Sequence, residues 1–177
     1  MPELSAKRRF LESNGVPDPI NFYGLHRPDV PWITQTTHAV AVPMDLVPQN
    51  VTCAGPITLS TASVEDQDAD LLQWITQGPT VLINLGSALT YSRTQTRVMI
   101  EAIRQVLKDT DLQIVWKYQF SSAVKFDWGS LMIPLEQTGR VKITTWLSTD
   151  PFSLLDSGHI SAFVTHGGAN GFHESIA

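Results

Sequence analysis

The sequence predicts an incomplete, doubly wound α/β domain with a parallel sheet over residues 61–177. Three observations support this fold class. Short apolar, β-branched runs recur along this part of the chain, an amphipathic helical pattern separates the first two runs, and a glycine turn with a helical segment follows the last run. Alternating strand and helix patterns are typical of parallel sheets that helices cover on both faces.

The first elements form a predicted βαβ unit. A buried-type strand is expected over 80–85 and a second strand over 112–117. The helix between them is expected over 95–108, with Ser92 or Thr94 as its cap. The apolar stripe of this helix is predicted to comprise Val98, Ile103, Val106 and Leu107, with Met99 and Ala102 beside it.

A less regular stretch follows the second strand. Residues 118–139 contain Gly129, Pro134 and Gly139, so they are predicted to be a loop with at most one short element. The remaining elements are a strand over 141–144, a helix capped by Asp150 with Pro151 at its first position, and a strand over 162–165. Strands in this order predict one half of a doubly wound sheet.

Residues 1–60 are predicted to be the remnant of a separate amino-terminal domain with its linker. Residues 17–48 are rich in proline and show no pattern of a domain core, so alone they would bury too little surface to fold. The elements expected in it are a polar helix over 3–14 and extended runs at Trp32–Thr34 and Ala39–Val42. A solvated linker over 58–70 and a short helix over 68–75 are expected to lead into the second domain.

Composition excludes several classes of protein. The chain is 42% hydrophobic and 16% charged, with a net charge of −5 and no basic run, which argues against nucleic-acid binding. Cys53 is the only cysteine, so no internal disulfide framework is possible. The first residues lack the apolar run of a secretory signal, and no stretch approaches the roughly 18 apolar residues of a membrane span. We therefore expect a soluble, cytoplasmic chain.

Two loops at the carboxyl ends of strands are predicted to face one crevice. Gly86 and Ser87 follow the first strand of the domain, and residues 166–170 follow the last strand. Gly86 lets the backbone come close to a ligand, and the Ser87 hydroxyl or N–H can bond a phosphate. His166, at the strand tip, can donate to a phosphate oxygen.

The segment after the last strand predicts a helix that Asn170 caps and Gly171 begins. The free N–H groups and the positive dipole end of such a helix suit an anion such as a diphosphate. Glu174 lies four residues after Asn170, so both side chains can face one ligand. Simpler interpretations stay open: His166 as a turn residue, Glu174 as a first-turn glutamate favoured by the dipole, and Ser87 bonding within its own turn.

The segment Thr-His-Gly-Gly-Ala-Asn-Gly at 165–171 is followed by Glu174-Ser175 and preceded by Trp146. It resembles the central part of the donor-binding signature of the UDP-glycosyltransferases, inverting enzymes with two Rossmann-like domains in the glycosyltransferase-B architecture. Leu85-Gly86-Ser87 is similar to the glycine-serine turn of that family. Residues 47–57 resemble the passage from its acceptor domain to its donor domain. The resemblance begins near residue 40 and continues to the last residue.

This resemblance implies a role for each candidate site residue. Trp146 would stack on uracil while the Leu147 backbone pairs with the edge of the base. Glu174 would accept hydrogen bonds from the ribose hydroxyls. The diphosphate side of the site would comprise Gly86, Ser87, His166, Gly168, Asn170 and Gly171. For Trp146, a partly buried position in the core is the alternative.

The implied reaction is transfer of a hexose, with glucose as the expected sugar, from a UDP-sugar to a hydroxyl group with inversion. The acceptor would be a small lipophilic molecule such as a sterol or a secondary metabolite. The UDP-sugar is a substrate, and neither a cofactor nor a metal ion is implied.

The sequence departs from the family pattern in several places. The family's base is a histidine early in the acceptor domain, and neither His26 nor His38 follows an opening strand and glycine turn as that histidine does. Ser148 and Thr149 stand where the family has Pro and Gln, and Ser157 replaces a histidine of the plant signature. The Asp-Gln portion that closes the signature is not reached. We therefore expect a donor-binding fragment that is inactive alone, and the alternative is a catalytically inactive nucleotide-binding or partner protein.

Overall fold

The structure, a computed structural model, describes residues 2–16, 29–37, 45–58, 62–120 and 127–176. The extended run predicted at Ala39–Val42, and both His26 and His38, lie outside these residues. The chain divides into two compact units, Met1–Gly55 and Pro56–Ala177. Within the described residues, no helix combines the length and the apolar character that a bilayer span requires.

The described residues of the first unit form one helix and a small parallel sheet. Helix α1 spans Pro2–Ser13, which confirms the helix expected over 3–14. Strand β1, Trp32–Thr34, confirms the extended run predicted there, and it pairs in parallel with β2, Val51–Cys53. The register places Trp32 opposite Val51.

The second unit is built on a sheet of four parallel strands. These are β3 (Thr80–Asn84), β4 (Gln113–Lys117), β5 (Val141–Thr144) and β6 (Ile160–Thr165), in the spatial order β5-β4-β3-β6. All four strands match the predicted ones within two residues at each end. The chain therefore runs from β3 to one edge and then returns to the other side of β3, which confirms the predicted doubly wound class.

Helices cover both faces of this sheet. On one face lie α4 (Arg93–Asp109) and α5 (Gly129–Glu136), packed against Ile83, Ile114 and Trp116. The opposite face carries α2 (Val64–Gln67), α3 (Ala69–Ile75) and α6 (Pro151–Asp156), packed against Leu82 and Val115. Successive strand residues point to opposite faces, so Leu82 and Ile83 belong to different cores. A last helix, α7, spans Ala169–Glu174.

Helix α4 confirms its predicted extent and cap but corrects its predicted apolar face. Ser92 caps the helix through a capping box with Gln95. The predicted stripe is wrong at Val98, whose side chain is 65% exposed, whereas Ile100 is buried. Two residues turn a helix by about 200°, so Val98 and Ile100 cannot share a face. The buried residues are Thr96, Ile100, Ile103 and Leu107.

Helices form in the predicted linker 58–70 and in the predicted loop 118–139, where at most one short element was expected. In the predicted linker 58–70, α2 forms because Ser63 caps it and Val64 is buried under the sheet. In the predicted loop 118–139, α5 continues through Pro134 because Met132 and Leu135 are buried against α4 and the sheet. Tertiary packing thus outweighs the local signal of proline in this segment.

Candidate functional site

A cleft of about 570 Å³ lies at the carboxyl edge of the four-stranded sheet. It opens where β3 and β6 end side by side, the point at which the strand order reverses. Ligands of doubly wound proteins bind at such a switch point. Eight of the nine predicted site residues line this cleft: Gly86, Ser87, Trp146, His166, Gly168, Asn170, Gly171 and Glu174.

The His166 imidazole lies between two glycines that leave room for it. A Cβ atom at Gly86 or at Gly168 would stand only 2.7 Å from His166 Cε1. Gly86 also has a φ of +82°, a conformation that side chains rarely adopt. The Gly86 N–H donates to Asn84 Oδ1 over 3.1 Å, which fixes the turn after β3. Both loops are therefore shaped around the histidine.

The start of α7 differs from the prediction. Its cap is Gly168, in an extended conformation with φ −63° and ψ 152°, and the helix begins at Ala169. The prediction that Asn170 caps a helix beginning at Gly171 is therefore wrong, because the glycine turn needs one extended residue before the helix can start. Asn170 lies in the first turn and lines the cleft.

Glu174 is the last residue of α7, so it is not a first-turn glutamate. A helix dipole does not favour a carboxylate at this end, and the interpretation that explained Glu174 by the dipole is wrong. Burial, and then the charge of Asp150, raise the pKa of Glu174 above its ordinary value. The carboxyl group thus stands in a partly desolvated wall of the cleft, where a hydrogen-bond donor on a ligand would stabilise it.

Trp146 is an exposed aromatic residue at the edge of the cleft. It lies two residues beyond β5 and is 66% exposed, which contradicts the alternative of a partly buried core position. Thr144 fixes the turn, because its hydroxyl donates to the Trp146 carbonyl over 2.5 Å and accepts from the Trp146 N–H over 3.3 Å. The indole can therefore offer a flat face to a planar ligand.

Leu147 is the one predicted site residue that does not line the main cleft. Its side chain is 7% exposed and belongs to the core beneath α3 and α6. It borders a smaller chamber of about 260 Å³, which shares Lys117, Trp146 and Pro151 with the main cleft. The predicted role of Leu147 concerns its backbone, and that role stays a prediction.

Three exposed polar side chains of the cleft make no hydrogen bond to the described part of the protein. Within the part of the chain that the structure describes, Ser87, His166 and Asn170 form no side-chain hydrogen bond, and all three are exposed. The turn after β3 is held by Asn84 instead of by the Ser87 hydroxyl. These groups are available to a ligand.

The structure adds cleft residues that sequence reasoning missed. Asn84 and Lys117 are the last residues of β3 and β4, and Thr165 ends β6. The Lys117 ammonium lies 4.3 Å from the centre of the Trp146 ring, and burial lowers its pKa. A polar or charged residue that ends an otherwise apolar strand was the available signal, because strand carboxyl ends face the crevice.

The geometry suits a ligand that has a planar end and an anionic end. An exposed indole, a lysine, an imidazole, an amide and a carboxylate converge at one switch-point cleft. Aromatic stacking, charge-assisted donors and an acceptor for hydroxyl groups match the base, phosphate and ribose of a nucleotide. The fold and the cleft therefore define a doubly wound α/β domain whose switch-point cleft offers the chemical groups that such a ligand needs.

Comparison with known proteins identifies the family. The profile of the family described as "UDP-glucoronosyl and UDP-glucosyl transferase" matches residues 18–177. The chain belongs to this family of glycosyltransferases, as the signature residues predicted.

The chain is similar to individual proteins over part of their length. Glycosyltransferase sdnJ of Sordaria araneosa is 34% identical over 180 residues, covering 98% of this chain and 35% of the relative. UDP-glucuronosyltransferase 3A1 of Bos taurus is 25% identical over 145 residues, covering 82% of this chain and 25% of the relative. The crystal structure of LpCGTa in complex with UDP superposes with a TM-score of 0.48 at 20% identity, over 72% of this chain and 26% of that one. This chain thus spans about a third or less of the length of these proteins.

Proposed function

We propose that this chain binds a UDP-sugar donor and forms the donor side of an inverting hexosyltransferase. The observation that carries the proposal is the placement of the signature residues. Eight of them, which come from three separate segments of the chain at 86–87, 146 and 166–174, line one cleft at the switch point of the sheet. If these residues lay on separate parts of the surface, they could not contact one ligand together.

In the proposal, each part of the UDP-sugar contacts a different wall of the cleft. Uracil stacks on Trp146, and the backbone of Leu147 pairs with its edge. The ribose hydroxyls donate to Glu174, a carboxylate acceptor. The diphosphate lies between the turn after β3 and the turn after β6, where its hydrogen-bond donors are Ser87, His166, the Asn170 side chain and the Gly171 N–H.

In the proposed reaction these donors also assist the chemistry. Negative charge accumulates on the diphosphate as its bond to the sugar breaks. Donors that already point at that position stabilise the transition state without reorganising. The proposal assigns this task to protein groups and requires neither a metal ion nor a cofactor. The resemblance implies that the base that deprotonates the acceptor is a histidine of the acceptor domain, and the proposal assigns that task to no described residue of this chain.

The sugar and the acceptor complete the proposal. From the family pattern we propose transfer of a hexose, with glucose as the first candidate. The acceptor is a hydroxyl group of a small lipophilic molecule such as a sterol or a secondary metabolite. The description of the family and the name of the bovine relative also bring UDP-glucuronate into the set of donors to be tested.

A nucleotide panel tests the donor side. UDP, ADP and GDP are titrated into the chain with a chelator present, followed by UDP-glucose and UDP-glucuronate. The proposal expects UDP to bind at least tenfold more tightly than either purine nucleotide, and binding to persist without metal. Equal affinity for all three nucleotides would contradict it. Incubation with UDP-glucose and a panel of lipophilic alcohols then separates the two candidate functions, because a nucleotide-binding protein without catalysis forms no glucoside.

A further inference from the structure

The main cleft contains a cation that the signature does not include. Among the described residues that line the cleft, Lys117 is the one lysine or arginine. It ends β4, opposite Asn84 of β3 and Thr144 of β5, so strands on both sides fix its backbone. Lys117 also lines the smaller chamber, together with Trp146 and Pro151. The ammonium therefore stands where the two cavities meet.

The environment of Lys117 leaves its charge poorly compensated. The residue is only 8% exposed. Within the described part of the chain its ammonium forms no ion pair and no hydrogen bond, and its close partner is the Trp146 ring at 4.3 Å. The attraction between a cation and an aromatic ring is smaller than the cost of burying an ion. This burial lowers the pKa of Lys117.

Burying the charge of Lys117 costs free energy if the residue serves only the fold. The same buried charge is useful if the residue binds an anion. A residue needed only for packing at the end of β4 would be better served by an apolar side chain of equal length. A nucleotide diphosphate, by contrast, brings several negative charges into a cleft whose other described side-chain donors include a hydroxyl, an imidazole and an amide. An anion there would remove the charge imbalance and would meet little competition from water.

We infer that Lys117 is a donor-binding residue whose ammonium neutralises the diphosphate of the bound nucleotide. The inference deepens the proposed function and depends on it. When the diphosphate binds, the ammonium moves towards it and leaves the face of Trp146 free for the base. Lysine and tryptophan thus recognise the two ends of the nucleotide in one step.

The test compares ligands with and without the diphosphate. UDP and uridine are titrated into the wild type, Lys117→Met and Lys117→Arg. Lys117→Met keeps the apolar stem and removes the charge, so we expect it to weaken UDP binding at least tenfold and to change uridine binding less than twofold. Lys117→Arg keeps the charge and should retain UDP binding within about threefold. Raising the salt concentration should weaken UDP binding of the wild type more than that of Lys117→Met.

Lys142→Met is the matched control. Lys142 also lies over a tryptophan ring, with its ammonium 5.5 Å from the centre of Trp74, and it does not line the cleft. This variant loses the same charge and the same type of contact, so its UDP affinity should equal that of the wild type. Thermal unfolding of each variant identifies any loss of fold, and the salt dependence of the wild type tests the charge without a substitution.

Each outcome separates the inference from the proposed function. If the wild type binds UDP and Lys117→Met binds it equally well, the inference fails and the donor site stands. Equal losses for UDP and uridine would overturn the inference too, because Lys117 would then act by orienting Trp146. A folded wild type that binds no UDP would refute the proposed function, and the inference with it.

Discussion

Replacing Gly168 with alanine should displace His166 and weaken nucleotide binding while the fold survives. The added Cβ would come closest to His166 Nε2, and it would stand only 2.7 Å from the next nearest atom, His166 Cε1. That is roughly 0.8 Å inside the shortest favourable carbon–carbon separation of about 3.5 Å. The backbone of Gly168 has a φ of −63°, which alanine adopts without strain, so the imidazole has to move.

The magnitude follows from what the moved imidazole would lose. A hydrogen bond to a charged group contributes about 1.5–3 kcal/mol. UDP affinity should therefore fall by about 10- to 150-fold. Alanine is a poorer cap than glycine, so the free energy of unfolding should fall by no more than about 1 kcal/mol. Calorimetric titration with UDP gives the first quantity, and urea unfolding gives the second.

A double-mutant cycle tests whether the loss acts through His166. If it does, Gly168→Ala combined with His166→Ala should bind UDP no more weakly than His166→Ala alone. Gly78→Ala is the matched control, because a Cβ at Gly78 would meet nothing closer than Gln113 Oε1 at 3.5 Å and lies outside the cleft. Fully additive losses, or wild-type affinity in Gly168→Ala, would refute the reasoning.

Two further predictions concern other walls of the cleft, and a third concerns Asp68, the cap of α3. Trp146→Ala should weaken UDP binding by about 1–3 kcal/mol in calorimetry, the range for loss of base stacking, whereas Trp146→Phe should restore most of it. The pKa of Glu174 is raised, so its carboxylate should become protonated at a higher pH than an ordinary glutamate does. UDP affinity should therefore start to decline at that higher pH as the pH falls. Glu174→Gln should abolish this decline in pH-dependent titrations. Asp68 accepts from the Leu71 N–H over 2.8 Å and from the Ser148 hydroxyl, and the Ser148 bond is the main reason that its pKa is lowered. Asp68→Ala should therefore cost about 1 kcal/mol of unfolding free energy in urea titration. Because the folded-state pKa lies below the unfolded one, this contribution should be complete above the ordinary value of 3.8 and vanish as pH falls through the folded value.

The sheet was predictable because its strands carry their own signals. Buried strands such as Thr80–Asn84 and Gln113–Lys117 read as short apolar runs bounded by turn residues, and their order along the chain predicts a doubly wound sheet. Helices that depend on tertiary contacts were harder to predict. Helix α5 continues through Pro134 because Met132 and Leu135 are buried, and local sequence does not reveal that burial.

The site was predictable where residue type and position agree. Glycine is required beside His166, and the spacing of Asn170 and Glu174 brings both to one cleft. Lys117 was missed because it reads as the end of a strand, and its placement beneath Trp146 depends on the turn after a different strand. The cap of α7 was assigned to Asn170 because asparagine is a common cap, but the extended Gly168 precedes it.

The central claim is that the cleft between the ends of β3 and β6 binds the nucleotide of a UDP-sugar. Calorimetric titration of the chain with UDP, with His166→Ala and Glu174→Ala beside it, tests this most directly. The account predicts one saturable site and a loss of at least about 1 kcal/mol in each variant, the scale of a lost hydrogen bond. A folded chain that binds no UDP, or variants that bind it as tightly as the wild type, would contradict it.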